Sequence, residues 1–172
     1  MFVSLKKIVL AAGLCFGSLS AMAMPAGAYV GFGTGININT DNWGTSYRGM
    51  PLTLFAGYGG MMDGGFYLAG ELIGNAGTGT LNNNGLKSTW SMGAALLPGI
   101  LLSEHTLGFM RLGWVRNHFT SGSTNKSGGE VGVGLQTSVA RDWDIRGEYD
   151  YIQYSGSLKT DQVAIGLVYR IM

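Results

Sequence analysis

Past residue 23, apolar side chains recur at every second position through eight separate segments, and the faces they form carry almost no charge. A period of two is the mark of extended strands whose two faces meet different surroundings. The clearest segment is 28–38, where Ala28, Val30, Phe32, Ile36 and Ile38 share one face and Gly31, Gly33, Gly35 and Asn37 the other. The same alternation predicts strands over 50–58, 66–74, 88–101, 106–116, 129–139, 143–152 and 162–171. In 66–74, Phe66, Leu68 and Leu72 oppose Tyr67, Ala69 and Glu71; in 106–116, Met110, Leu112 and Trp114 oppose Arg111 and Gly113. In 143–152, Ile145, Tyr149 and Tyr151 oppose Asp144, Arg146, Glu148 and Asp150. Beyond residue 23 the longest apolar run, Met92 to Leu102, is broken by Pro98-Gly99. It is too short to cross a bilayer as a helix.

The connections alternate as well. Those predicted at 39–49, 75–87, 117–128 and 153–161 are longer and rich in Asn, Gly, Ser and Thr, whereas 59–65, 102–105 and 140–142 are tighter. Tight turns on one side and longer loops on the other is the pattern of a transmembrane barrel, and strands of about 9–11 residues suit a tilted crossing of the hydrocarbon layer.

Eight alternating strands also build soluble barrels, so the faces must be assigned. Charged residues are 12% of the 172, far under the roughly 25% of ordinary soluble domains. A water-facing coat built from the non-apolar faces would be mostly glycine with isolated charges. Lipid moreover demands that every backbone N–H and C=O be paired, which a closed barrel achieves and an open-edged sandwich does not. The reading is therefore all-β, an eight-stranded antiparallel transmembrane β-barrel with apolar residues outward and charges inward. Trp90, Trp114, Tyr58, Tyr149 and Tyr169, towards strand ends on the apolar face, suit an interfacial aromatic belt. A formal net charge of +1 leaves no basic surplus for nucleic acid.

Residues 1–23 read as a cleavable signal peptide, with Lys6 and Lys7 ahead of apolar Ile8 to Phe16 and Ala21-Met22-Ala23 at the cleavage position. The barrel domain is then 24–172. The only cysteine, Cys15, falls in the removed part, with bulky Leu14 ahead of it where a lipid-anchor signal needs a small residue. Disulfide and thiol chemistry are thus excluded from the mature domain.

The runs Ala28-Tyr29-Val30-Gly31-Phe32-Gly33, Leu54-Phe55-Ala56-Gly57-Tyr58, Arg146-Gly147-Glu148-Tyr149-Asp150-Tyr151 and Val163-Ala164-Ile165-Gly166-Leu167-Val168-Tyr169-Arg170 resemble the OmpA/OmpX/opacity-type outer-membrane barrels. The resemblance covers essentially the whole mature chain. It implies a place in the bacterial outer membrane, with contact to outer-membrane lipid and lipopolysaccharide, and delivery by the outer-membrane assembly machinery. The family's closing strand usually ends Tyr-x-Phe; Tyr169-Arg170-Ile171 stands here instead. The resemblance also implies a non-enzymatic surface protein, serving in adhesion, contact with a host surface ligand or envelope integrity.

An eight-stranded barrel has an interior that side chains fill. Glu71, Arg111 and Glu148 each lie about five residues into an odd-numbered strand, which could place them in one layer. The expectation is an interior charge cluster of Arg111 with Glu71 and Glu148, extended by Arg146 and Asp150, closing the lumen by mutual pairing. Trp43, Tyr47 and Phe119 are the candidate contact residues of the polar loops. Two alternatives are a narrow pore and a lipid A deacylase-like site of His118, Ser121 and Glu130. In the second, Thr120 holds the place where such enzymes carry their serine. No cofactor fingerprint occurs, and His105 and His118 lack partners at metal-ligand spacing.

Overall fold

The computed structural model describes residues 26–40, 46–80, 88–119, 124–155 and 158–171. They form β1 (Gly27–Thr40), β2 (Ser46–Met61), β3 (Phe66–Thr80), β4 (Ser88–Ser103), β5 (Thr106–Phe119), β6 (Thr124–Ser138), β7 (Trp143–Tyr154) and β8 (Lys159–Ile171). Each strand pairs with the next, and β8 returns to pair with β1 from Ala28↔Ile171 to Thr40↔Lys159, closing the barrel. Every pairing is antiparallel. Closure removes the unpaired edge that lipid forbids.

One end of the barrel carries the connections 62–65, 104–105 and 139–142 together with Ala26 and Ile171; we call it the turn end, and the other the loop end. At the turn end, Gly64 and Gly65 adopt φ of 87° and 80°, a region glycine enters without a side-chain clash. The Met62 N–H donates to the Phe66 carbonyl at 2.7 Å across this turn.

Two sequence expectations change here. The strands run 12 to 16 residues, longer than the alternation alone suggests. The added residues lie mainly at the loop end, so the strands take in much of the sequence expected in the polar connections. Ladder bonding uses backbone groups, so polar and glycine-rich sequence extends the strands beyond the apolar band without any apolar alternation to announce it. Tyr47 and Phe119, expected in loops, accordingly lie within the ends of β2 and β5.

The face assignment follows the alternation. Leu72 and Ile165 are 68% and 61% exposed on the outer wall, whereas Asp144, Asp150, Arg111 and Arg146 are at most 2% exposed inside. This inversion of the soluble pattern has a simple cause: the outer wall meets hydrocarbon. Trp143 and Tyr169 pack at 5.1 Å between ring centroids near the turn end, and Trp90 lies 5.8 Å from the His118 ring towards the loop end.

Register decides which inward residues share a height. A row of paired residues runs from Gly57 through Glu71, Ala95, Gly113, Glu130, Ile152, Thr160 and Asn39. It returns to β2 at Tyr47, ten residues nearer the loop end than it started. The row climbs by about 1.25 residues per strand, so equal height on β5 and β7 is found that much nearer the turn end for each strand crossed. From Glu71 this leads to the neighbourhood of Arg111 on β5 and of Arg146 and Glu148 on β7.

Candidate functional site

The bore is filled in three zones. Nearest the turn end is an apolar and aromatic zone that includes Tyr29, Phe55, Tyr67, Leu97, Leu107, Phe109 and Val168, all buried. Inward glycines make room for it. A Cβ on Gly31 would strike the Phe55 ring, on Gly57 the Tyr29 ring, and on Gly134 the Phe109 ring. Towards the loop end the bore is mainly polar, with a small apolar cluster of Ile152, Tyr154 and Leu158. There the Thr53 hydroxyl donates to Asn75 Oδ1 at 2.6 Å, Asn75 Nδ2 to Ser91 Oγ at 2.8 Å, and the Thr160 hydroxyl to Asn39 Oδ1 at 2.5 Å.

Between them lies the ionic zone, which brings together Glu71, Arg111, Arg146, Glu148 and Asp150. Arg111 Nη2 donates to Glu71 Oε1 at 2.7 Å and to Glu148 Oε2 at 2.8 Å. Its Nε stands 3.7 Å from Asp150 Oδ1, an ion-pair distance without a hydrogen bond. Arg146 Nη1 donates to Glu71 Oε2 at 2.5 Å, and the Tyr29 hydroxyl donates to the same oxygen at 3.0 Å. The guanidinium carbon of Arg146 lies 4.6 Å, 5.2 Å and 5.4 Å from the ring centroids of Phe55, Phe109 and Tyr29. A weakly hydrated planar cation tolerates such a ring-lined pocket where an ammonium would not.

The cluster extends through residues the sequence did not single out for it. Arg146 Nε donates to Gln136 Oε1 at 2.9 Å, and Gln136 Nε2 donates to Asp144 Oδ2 at 2.7 Å. Asp144 in turn faces Arg170 at 3.3 Å. A chain of polar side chains thus runs from the turn end to mid-barrel. The inward half of each alternation contained all of them; what it lacked was the stagger that selects partners.

Glu130 also points inward, 8% exposed, with Oε2 in no hydrogen bond among the described residues. His118 lies on the outer face, beside Trp90, and its Nδ1 is 2.8 Å from Asn125 Oδ1. The barrel wall stands between these two side chains, so they share no site. Ser121 and Trp43 lie outside the described residues, as does the proposed signal peptide 1–23. Among the described residues no group of three or more His, Cys, Asp or Glu is placed to hold a metal ion.

A closed, side-chain-filled β-cylinder with an apolar outer wall and an ion-paired centre is a small transmembrane barrel of the bacterial outer membrane. The chain belongs to the outer membrane protein beta-barrel domain family, whose pattern matches residues 9–170. It is similar in structure to Ail, the attachment invasion locus protein of Yersinia pestis, crystallised in complex with the heparin analogue sucrose octasulfate. That similarity has a TM-score of 0.61 and 16% identity, over 86% of this chain and 100% of the other. It is also similar to Neisserial surface protein A, with a TM-score of 0.59 and 13% identity, over 84% and 97% of the two chains. At these identities the likeness is one of fold. No curated protein matches the chain in sequence.

Proposed function

We propose that the barrel is a non-enzymatic anchor and that its loop end, facing out of the cell, makes adhesive contact with a host surface. The observation that carries this reading is the filled bore. Arg111, Arg146 and Glu71 span it above a layer of aromatic rings, which leaves no wide path for solutes. Contact residues on a rigid scaffold gather in its connections, so the loop end is where recognition would lie. Tyr47 and Phe119 belong to the loop-end tips of β2 and β5, with the cations Arg48, Lys126 and Lys159 close by on the strands, and Trp43 falls in sequence between β1 and β2. Those cations favour a polyanionic surface ligand, and a sulfated polysaccharide such as heparin is the first probe. The lipid-deacylating alternative is disfavoured by the opposite orientations of His118 and Glu130.

The test compares a deletion strain, the strain complemented with the full chain, and one complemented with Trp43→Ala, Tyr47→Ala and Phe119→Ala together. Attachment to heparin-coated surfaces and to cultured host cells is measured, along with survival in serum. The reading expects the triple variant to reach the outer membrane folded yet fail to restore attachment. A deletion strain that attaches and survives like its parent overturns it.

A further inference from the structure

The bore holds more carboxylate than its guanidinium groups answer. Among the described residues, the carboxylates that point inward from the strands are Glu71, Glu130, Asp144, Glu148 and Asp150. Each guanidinium has one close partner: Arg146 has Glu71, Arg111 has Glu148 at 2.8 Å, and Arg170 has Asp144 at 3.3 Å. Glu130 and Asp150 are left over. Glu130 forms no ion pair among the described residues. Asp150 has only Arg111 Nε at 3.7 Å, on a guanidinium that Glu71 and Glu148 already engage. Lys126, the next cation along the inward side of β6, lies four residues from Glu130, about 13 Å of extended strand.

The two surplus acids are neighbours in space. Glu130 pairs with Ile152, and the stagger brings equal height on β7 about one residue nearer the turn end, to Asp150. Inward glycines cradle both: a Cβ on Gly113 would stand 2.8 Å from Glu130 Oε2, and one on Gly132 would strike Asp150 Oδ1. Glu130 and Asp150 are 8% and 1% exposed, and these two oxygens are in no hydrogen bond among the described residues. A third orphan acceptor, Asn37 Oδ1, belongs to the row that runs from Asp150 through Gln162 to Asn37, and Asn37 is 9% exposed. A buried carboxylate without a counter-charge is costly, and buried acceptors are normally met by donors. A proton on a carboxylate would answer charge but leave the Asn37 carbonyl unmet, because an amide does not titrate. A hydrated cation answers both needs, with charge for the acids and water hydrogens for all three oxygens.

We propose that Glu130 and Asp150, with the Asn37 carbonyl, hold one hydrated magnesium ion in the bore, on the loop-end side of Arg111. Two surplus carboxylates match one divalent charge. Magnesium gives up its water reluctantly and is held by one or two carboxylates, whereas calcium asks for about six to eight oxygens in direct contact. Among the described residues no group of three or more His, Cys, Asp or Glu could form such a cage, so the pair suits the smaller, water-clad ion. Ions reach it from the loop end, where Asn, Thr and Ser side chains line the bore, since aromatic rings close the turn end. The site is independent of what the loop end touches.

The test folds the purified mature chain into phosphatidylcholine vesicles, strips metal with a chelator and dialyses against magnesium chloride in excess sodium chloride. Elemental analysis reads the magnesium retained, and the urea unfolding midpoint is followed with and without it. The wild type should retain one magnesium per barrel, and its midpoint should rise with magnesium and level off as a single site fills. Glu130→Gln and Asp150→Asn should each weaken retention about tenfold or more, and Asn37→Ala should weaken it by less. Asp161→Asn, which alters a carboxylate bonded to Tyr149 on the outer face, should retain the ion. A wild type that retains no magnesium, or a Glu130→Gln variant that retains as much as the wild type, overturns the site. So does a metal-free midpoint that acidification alone raises to the magnesium-bound value, since a proton would then hold the pair. Should both acid variants fail to fold, retention by the wild type and by Asn37→Ala decides it.

Discussion

Glu71 and Arg146, 75 residues apart in sequence, meet with Nη1 2.5 Å from Oε2 across the full width of the barrel. They come from β3 and β7, which stand four strands apart around the closed sheet. The same carboxylate accepts from Arg111 and from the Tyr29 hydroxyl, so Glu71 is the hub that joins three walls of the bore.

Removing the hub strips the buried Arg146 guanidinium of the carboxylate that pairs with it, while Arg111 keeps Glu148. Glu71→Ala is expected to lower the unfolding free energy by about 3–5 kcal/mol, the usual cost of stranding buried charge. Urea unfolding in lipid vesicles, followed by tryptophan fluorescence, measures it. A loss under about 1 kcal/mol would mean that the network contributes no more than an exposed ion pair does.

Inward and outward glycines should respond in opposite ways. Gly134→Val drives a side chain into the Phe109 ring and should cost about 1–3 kcal/mol by overpacking. Gly147→Val points into open space and should be neutral or stabilising, since β-branched residues suit strands. The temperature at which the folded, fast-migrating gel band disappears reports both. Equal shifts for the two variants would contradict the assigned faces.

The outer wall offers a direct test of its surroundings. Val133 is 55% exposed in the middle of β6, a position where arginine would be harmless in water. Against hydrocarbon, Val133→Arg should cost about 2–4 kcal/mol. Unfolding in vesicles decides this, and an unchanged midpoint would place that face outside the membrane.

A filled bore also predicts electrical silence. In planar bilayers the wild type should show no steady large conductance. Arg146→Ala combined with Phe109→Ala removes a guanidinium and a ring from the same cross-section, and should produce resolvable channel events. Steady large currents from the wild type would remove the basis for treating the barrel as an anchor.

Which residues face lipid was legible from the chain alone, because alternation is a local consequence of strand geometry. Val30 and Phe32, or Ile165 and Leu167, point outward whatever strand lies beside them. The inward set, with Glu71, Arg111, Arg146, Glu148 and Asp150, was legible for the same reason. Pairing within that set was not. That Glu71 joins both arginines, that Gln136 and Asp144 carry the network towards Arg170, and that Glu130 faces away from His118 all depend on closure of β8 onto β1 and on the ten-residue stagger of the rows. Stagger and closure are properties of the whole ladder, set by contacts between residues far apart in sequence, so only the tertiary structure decided them.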